Sequence, residues 1–174
     1  MKILVVVDMQ NDFISGALGS DAAQSIVEPV VDKIKNFDGK IIFTRDTHTK
    51  DYMQTQEGRK LPVPHCIKDT HGWQIDSRIP VFSDSVIFDK VTFGSVELSE
   101  YLSKLNEKET IEQIELVGLC TDICVISNAF LIKAALPECE ITVDASLCRG
   151  VSEQSHKNAL DAMRICQINV INEA

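Results

Sequence analysis

Four short apolar runs of this 174-residue chain end on side chains able to do nucleophilic, acid–base or metal chemistry. The first, Ile3-Leu4-Val5-Val6-Val7, ends on Asp8. An acid directly after such a run is costly to bury unless it is paired or functional. The run over 40–45 leads to Asp46 and His48, that over 86–89 to Lys90, and that over 113–119 to Cys120 and Cys124. Cys124 falls in the first turn of an expected helix, after Thr121-Asp122, where unpaired amides and the helix dipole favour a thiolate. A cysteine in an apolar helix also serves as a small filler, the reading we give Cys139, Cys148 and Cys166. Asp8 would equally suit a structural ion pair, and Lys90 alone reads as a surface lysine. Together the three gain meaning: a lysine beside Asp8 keeps the carboxylate ionised and favours a neighbouring thiolate.

Asp46 and His48 are followed by Glu57 and His65. Two imidazoles and two carboxylates suit one divalent ion (zinc, manganese or iron) with coordination positions left open. His71 receives no role, His156 is expected to make a structural hydrogen bond, and Trp73 either closes a pocket or packs.

These side chains need a scaffold that gathers strand ends. Runs at 2–8, 40–45, 86–89, 113–119, 140–145 and 168–171 read as strands, most of them continuously apolar, as in sheets covered on both faces. Between them, 21–37, 96–105, 121–136 and 153–166 carry helical spacing, with cap signals at Ser20/Asp21 and Ser152. Pro29 should kink the first of these, or mark where its regular part begins. The alternation predicts one α/β domain over 1–174: a doubly wound, mostly parallel six-stranded sheet, order 3-2-1-4-5-6, with helices on both faces. In such sheets ligands bind beyond the carboxyl ends of the strands, where the strand order reverses. The irregular 46–85 segment, containing Pro62, Pro64 and Pro80, is long for a compact domain and reads as functional.

Composition bounds the partners. Net charge is −9 with no basic cluster beyond Arg59-Lys60, which argues against nucleic acid and anionic membranes. No apolar run approaches the about 18 residues that span a bilayer, and the start lacks a cleavage signal. A cytoplasmic protein is expected, its six cysteines free thiols.

The same residues carry a family resemblance. Asp8-Met9-Gln10-Asn11-Asp12-Phe13, Asp89-Lys90-Val91-Thr92-Phe93-Gly94-Ser95 and Gly118-Leu119-Cys120-Thr121-Asp122-Ile123-Cys124-Val125 resemble, in order, three motifs of the isochorismatase-like cysteine hydrolases. Within them the chain looks most like the nicotinamidase/pyrazinamidase branch. The resemblance implies catalytic Asp8, Lys90 and Cys124, an oxyanion hole from the amides of Cys120 and Cys124, and a non-proline cis peptide at Leu119-Cys120. It implies metal ligands Asp46, His48, Glu57 and His65, and pocket residues Phe13 and Leu18. Many members place a further histidine where this chain has Gln54; others use a glutamate at the place of Glu57, and a frequent aromatic is Pro62 here. The implied reaction is hydrolysis of a small amide, foremost nicotinamide, through a thioester, in a chain able to form homo-oligomers. A carbamoyl or ureido substrate would use the same three residues, and hydrolysis of an enol ether would not need the thiol. A redox pair of Cys120 and Cys124 lacks the two-residue spacing typical of such pairs.

Overall fold

The computed structural model describes residues 1–173. Its elements are β1 (Lys2–Val7), α1 (Asn11–Ile14), α2 (Asp21–Ser25), α3 (Val27–Asn36), β2 (Lys40–Asp46), a 3-10 turn (Tyr52–Gln54) and α4 (Gln56–Lys60). They continue with β3 (Val86–Lys90), α5 (Val96–Lys108), β4 (Gln113–Leu119), a widened π-type turn (Thr121–Val125) and α6 (Ile126–Ala135). The chain then forms β5 (Glu140–Arg149), α7 (Glu153–Ile165) and β6 (Asn169–Ile171).

All strand pairings are parallel, in the order β3-β2-β1-β4-β5-β6 that the alternation predicts. β1 is apolar throughout because both of its faces are covered: Ile3 to Val7 are fully buried. Ile3, Val5 and Val7 pack with Leu98 of α5, Ala129 of α6 and Leu160 of α7. Leu4 and Val6 pack with Ile14 of α1 and Val27, Val30 and Ile34 of α3. Strand alternation thus divides one sequence run between two layers of helices, each buried side chain contributing about 1.5–3 kcal/mol.

The expected helix over 21–37 is two helices meeting at Ile26. Ser20 caps the first by accepting the Ala23 N–H. Pro29 lies in the first turn of α3, where its missing N–H has no intrahelical partner to lose. The expected helix over 121–136 begins with a widened turn rather than regular α geometry. β5 runs on to Arg149, beyond the expected end at 145, because its register against β4 jumps between Leu116 and Gly118. The intervening residues bulge at Asp144, whose carboxylate accepts the Ser146 N–H and Oγ–H. No helix among the described residues is long and apolar enough to cross a membrane.

The strand order reverses between β1 and β4, and Gly118 is the hinge of that seam. It sits at φ +118°, and a Cβ there would lie 2.1 Å from the Val7 carbonyl oxygen. Both the conformation and the contact exclude a side chain. Gly118→Ala is expected to lower unfolding free energy by about 2 kcal/mol or more in urea titration. An unchanged midpoint would contradict this account of the seam.

Candidate active site

The chain leaves β1 at Asp8 in a left-handed conformation, φ 48°, uncommon for a non-glycine residue. Asp8 is completely buried. Its Oδ1 accepts the Thr44 hydroxyl of β2 at 2.6 Å, and its Oδ2 lies 2.6 Å from Lys90 Nζ. Lys90 ends β3, in register with Asp46 of β2, and is 1% exposed. From there its ammonium also lies 3.4 Å from Cys124 Sγ and 3.6 Å from Asp46 Oδ1. One buried cation therefore joins the ends of β1 and β2 to the widened turn after β4.

Cys124 is held by its surroundings as well as its own turn. The peptide bond Leu119-Cys120 is cis, as the resemblance implies. The Cys120 carbonyl accepts the Ile123 and Val125 N–H groups. Asn128, one turn into the helix and fully buried, donates to the Cys124 carbonyl at 2.8 Å and accepts the Ser95 N–H at 2.9 Å. It thereby ties the nucleophile turn to the loop after Lys90. His156 lies within hydrogen-bond distance of Thr121 Oγ1, 2.8 Å, the structural bond expected of it.

The electrostatics correct one expectation. Cys124 was expected to lean towards thiolate, but burial, then the Asp8 carboxylate, push its thiol well above the ordinary value, and Lys90 only partly opposes them. Burial likewise raises the Asp8 carboxyl against the pull of Lys90. For Lys90, burial works against the charge, but Asp8, Cys124 and Asp46 outweigh it and the ammonium is held firmly. One lysine facing two carboxylates has little surplus charge for a third anion, which opposes a thiolate at Cys124. A proton acceptor near the sulfur is then required, and the Asp8 carboxylate, held on the same Lys90 ammonium as Cys124, is the group placed to serve.

The irregular segment folds back at the same strand ends. A parallel bridge pairs His48 with Ile67, which brings His65 beside His48. Asp46 Oδ2 lies 2.9 Å from His48 Nε2 and 3.4 Å from His65 Nε2; Glu57 Oε1 lies 3.6 and 3.8 Å from the same nitrogens. Ligands about 2.1 Å from a shared ion stand about 3.0–3.4 Å apart, so the spacing of Asp46 to His48 and His65 suits a divalent metal, with Glu57 slightly farther out. Asp46, His48 and His65 are all buried. His48 Nε2 is a buried nitrogen with no hydrogen-bond partner. The His65 Nδ1–H donates to the Val63 carbonyl at 2.8 Å, which aims the Nε2 lone pair inward. Glu57 is set in the first turn of α4, capped by Thr55. Burial would raise the Asp46 carboxyl, but His48, His65 and Lys90 together hold it far below the carboxylate range.

The Phe13 ring packs 5.6 Å from the His65 ring. Leu18 is half-buried in the turn after α1, its N–H on the Asp12 carbonyl, outside this cluster of contacts. Trp73 packs rather than closes: its Nε1–H donates to Thr47 Oγ1 and the Arg45 guanidinium lies 3.8 Å from its ring. Reasoning from sequence missed Thr44, Gln10, Asn128 and Tyr52. Asn128 had a signal, a lone amide in an apolar helix four residues after Cys124. Tyr52, buried against both His48 and His65, had none.

Comparison with known proteins bears on the family and the fold. The nicotinamidase of Saccharomyces cerevisiae is 26% identical over 223 aligned residues, covering 99% of this chain and 100% of that one. The crystal structure of nicotinamidase from Bacillus subtilis superposes with a TM-score of 0.80 at 26% identity, over 98% and 99% of the two chains. The pyrazinamidase of Pyrococcus horikoshii in complex with zinc shares the fold, with a TM-score of 0.82 at 24% identity over 99% of each. The model of the isochorismatase domain matches residues 2–174, and the chain belongs to that family.

Proposed function

We propose that this protein is a cysteine amidohydrolase that cleaves nicotinamide to nicotinate and ammonia. The observation that carries the reading is the Lys90 ammonium, 2.6 Å from Asp8 and 3.4 Å from Cys124 in a fully buried setting. The nicotinamidases of yeast and Bacillus subtilis, similar over their whole length, support the choice of substrate.

Asp8 takes the Cys124 proton as the sulfur attacks the amide carbon. The backbone N–H groups of Cys120 and Cys124 stabilise the oxyanion, such donors being worth about 3–4 kcal/mol of barrier each. Asp8 then gives its proton to the departing nitrogen, the C–N bond breaks and ammonia leaves a thioester. Water, deprotonated by Asp8, releases the acid and the thiol regains its proton. Lys90 keeps Asp8 in place and balances the charge as the proton moves. Asp46, His48, Glu57 and His65 would hold a divalent ion of the zinc, manganese or iron class, one per chain. Such an ion, when bound, supplies Lewis acidity for orienting and polarising the substrate. Phe13, packed against His65, lines the substrate side, whereas Leu18 lies away from it. The protein works in the cytoplasm, in keeping with its six free cysteines, and can assemble as a homo-oligomer.

Cys124→Ala should cut ammonia release from nicotinamide by at least about 10³-fold while leaving the circular-dichroism spectrum and metal content unchanged. Near-normal turnover would remove the nucleophile assignment. A panel of nicotinamide, pyrazinamide and N-carbamoylsarcosine, followed by ammonia release, should rank nicotinamide first by kcat/KM; a carbamoyl substrate ranking first would overturn the substrate.

Elemental analysis of the purified chain should find about one divalent ion per chain. Chelation should lower kcat/KM at least about tenfold, with recovery on adding back the metal. Full activity in metal-free protein would sink this part alone.

Lys90→Met leaves two buried carboxylates without their cation, and unfolding free energy should fall by about 3 kcal/mol. Adding Asp8→Asn should recover part of that loss. An unchanged urea midpoint in the single variant would contradict the pairing.

A further inference from the structure

Where β1 turns out of the sheet at Asp8, β2 runs on to Asp46. The Asp8 carbonyl, which would otherwise continue the ladder, is taken by the Gln10 N–H at 2.8 Å. The Asp46 backbone therefore lacks a strand partner on the β1 side, in a buried place where an unpaired peptide group is costly. The Gln10 side chain fills the gap. Its Oε1 accepts the Asp46 N–H at 2.7 Å and its Nε2 donates to the Asp46 carbonyl at 2.8 Å. The same Nε2 donates to the Trp73 carbonyl, also at 2.8 Å. Gln10 is fully buried, and its carboxamide stands in for a peptide group of the missing strand.

This matters because Asp46 faces two ways. Its Oδ2 lies on the His48 and His65 nitrogens and its Oδ1 on Lys90. A small rotation of the Asp46 backbone would pull one oxygen off the imidazoles or the other off the ammonium. We infer that Gln10 is a positioning residue for the metal centre, acting through the two backbone bonds it makes to Asp46. The inference rests on the metal reading proposed above. No other common side chain offers the same set. Glutamate keeps an acceptor for the Asp46 N–H but turns an acceptor towards two carbonyl oxygens. Leucine leaves all three backbone groups unpaired.

The test is cobalt(II) binding to chelator-treated protein, measured by competition with a chromophoric chelator and by the visible cobalt spectrum. Gln10→Leu and Gln10→Glu should each weaken cobalt affinity about 10–100-fold and alter the spectrum, as loss of groups that orient metal ligands does elsewhere. Leu102→Ala, a fully buried core change on α5, serves as the control. It should lower the unfolding midpoint yet keep the wild-type affinity and spectrum, separating positioning from general loss of stability. If the leucine variant does not fold, the glutamate variant, which retains one of the three bonds, decides. Wild-type affinity and spectrum in a folded Gln10 variant would overturn the inference while leaving the metal reading intact. Failure of the unsubstituted chain to take up cobalt would overturn both.

Discussion

The rest of the structure depends on one buried ammonium. Lys90 is 1% exposed, and a cation removed from water in this way is tolerated only with well-placed counter-charge. Asp8 and Asp46 supply it from two neighbouring strands, so the strands must end in register, as Asp46 and Lys90 do. Cys124 then becomes the third group around the same cation. Two carboxylates against one lysine leave the cluster short of positive charge. That deficit opposes a thiolate at Cys124 and suits the neighbouring trio of Asp46, His48 and His65 to a dication.

The fold meets this demand through its seam. A parallel sheet whose order reverses between β1 and β4 opens beyond those two strands, and both break regular geometry there. β1 does so with the left-handed Asp8, β4 with Gly118 and the cis bond before Cys120. Behind them the two helix layers cover the apolar strands and hold their register. Polar side chains complete what the backbone abandons: Gln10 for Asp46, Asn128 for the turn carrying Cys124.

Much of this could be read from the chain itself, because buried parallel strands leave a strong signature. Each apolar run is a strand, and the residue ending it lies at the crevice, which places Asp8, Asp46 and Lys90 together, with Cys124 in the turn just after the fourth run. What escaped was set by contacts across the fold. Nothing in Asp144-Ala145-Ser146 announces a register jump that depends on Gly118 in the adjacent strand. The widened turn at Thr121–Val125 carries the same residue types as a regular helix. The direction in which Cys124 is pushed was missed because a helix start favours a thiolate only weakly, whereas full burial beside a carboxylate opposes it. Gln10 sits inside a recognisable motif, but its partner is 36 residues away.

The central claim is that the sulfur of Cys124, activated by Asp8 and balanced by Lys90, carries the acyl group. Acid quenching of the enzyme during turnover of nicotinamide, followed by peptide mass mapping, tests it most directly. The account predicts a nicotinoyl group on the peptide containing Cys124, bound to that sulfur. An acyl group on Cys120 or another side chain, or sustained turnover without any acylated protein, would contradict it.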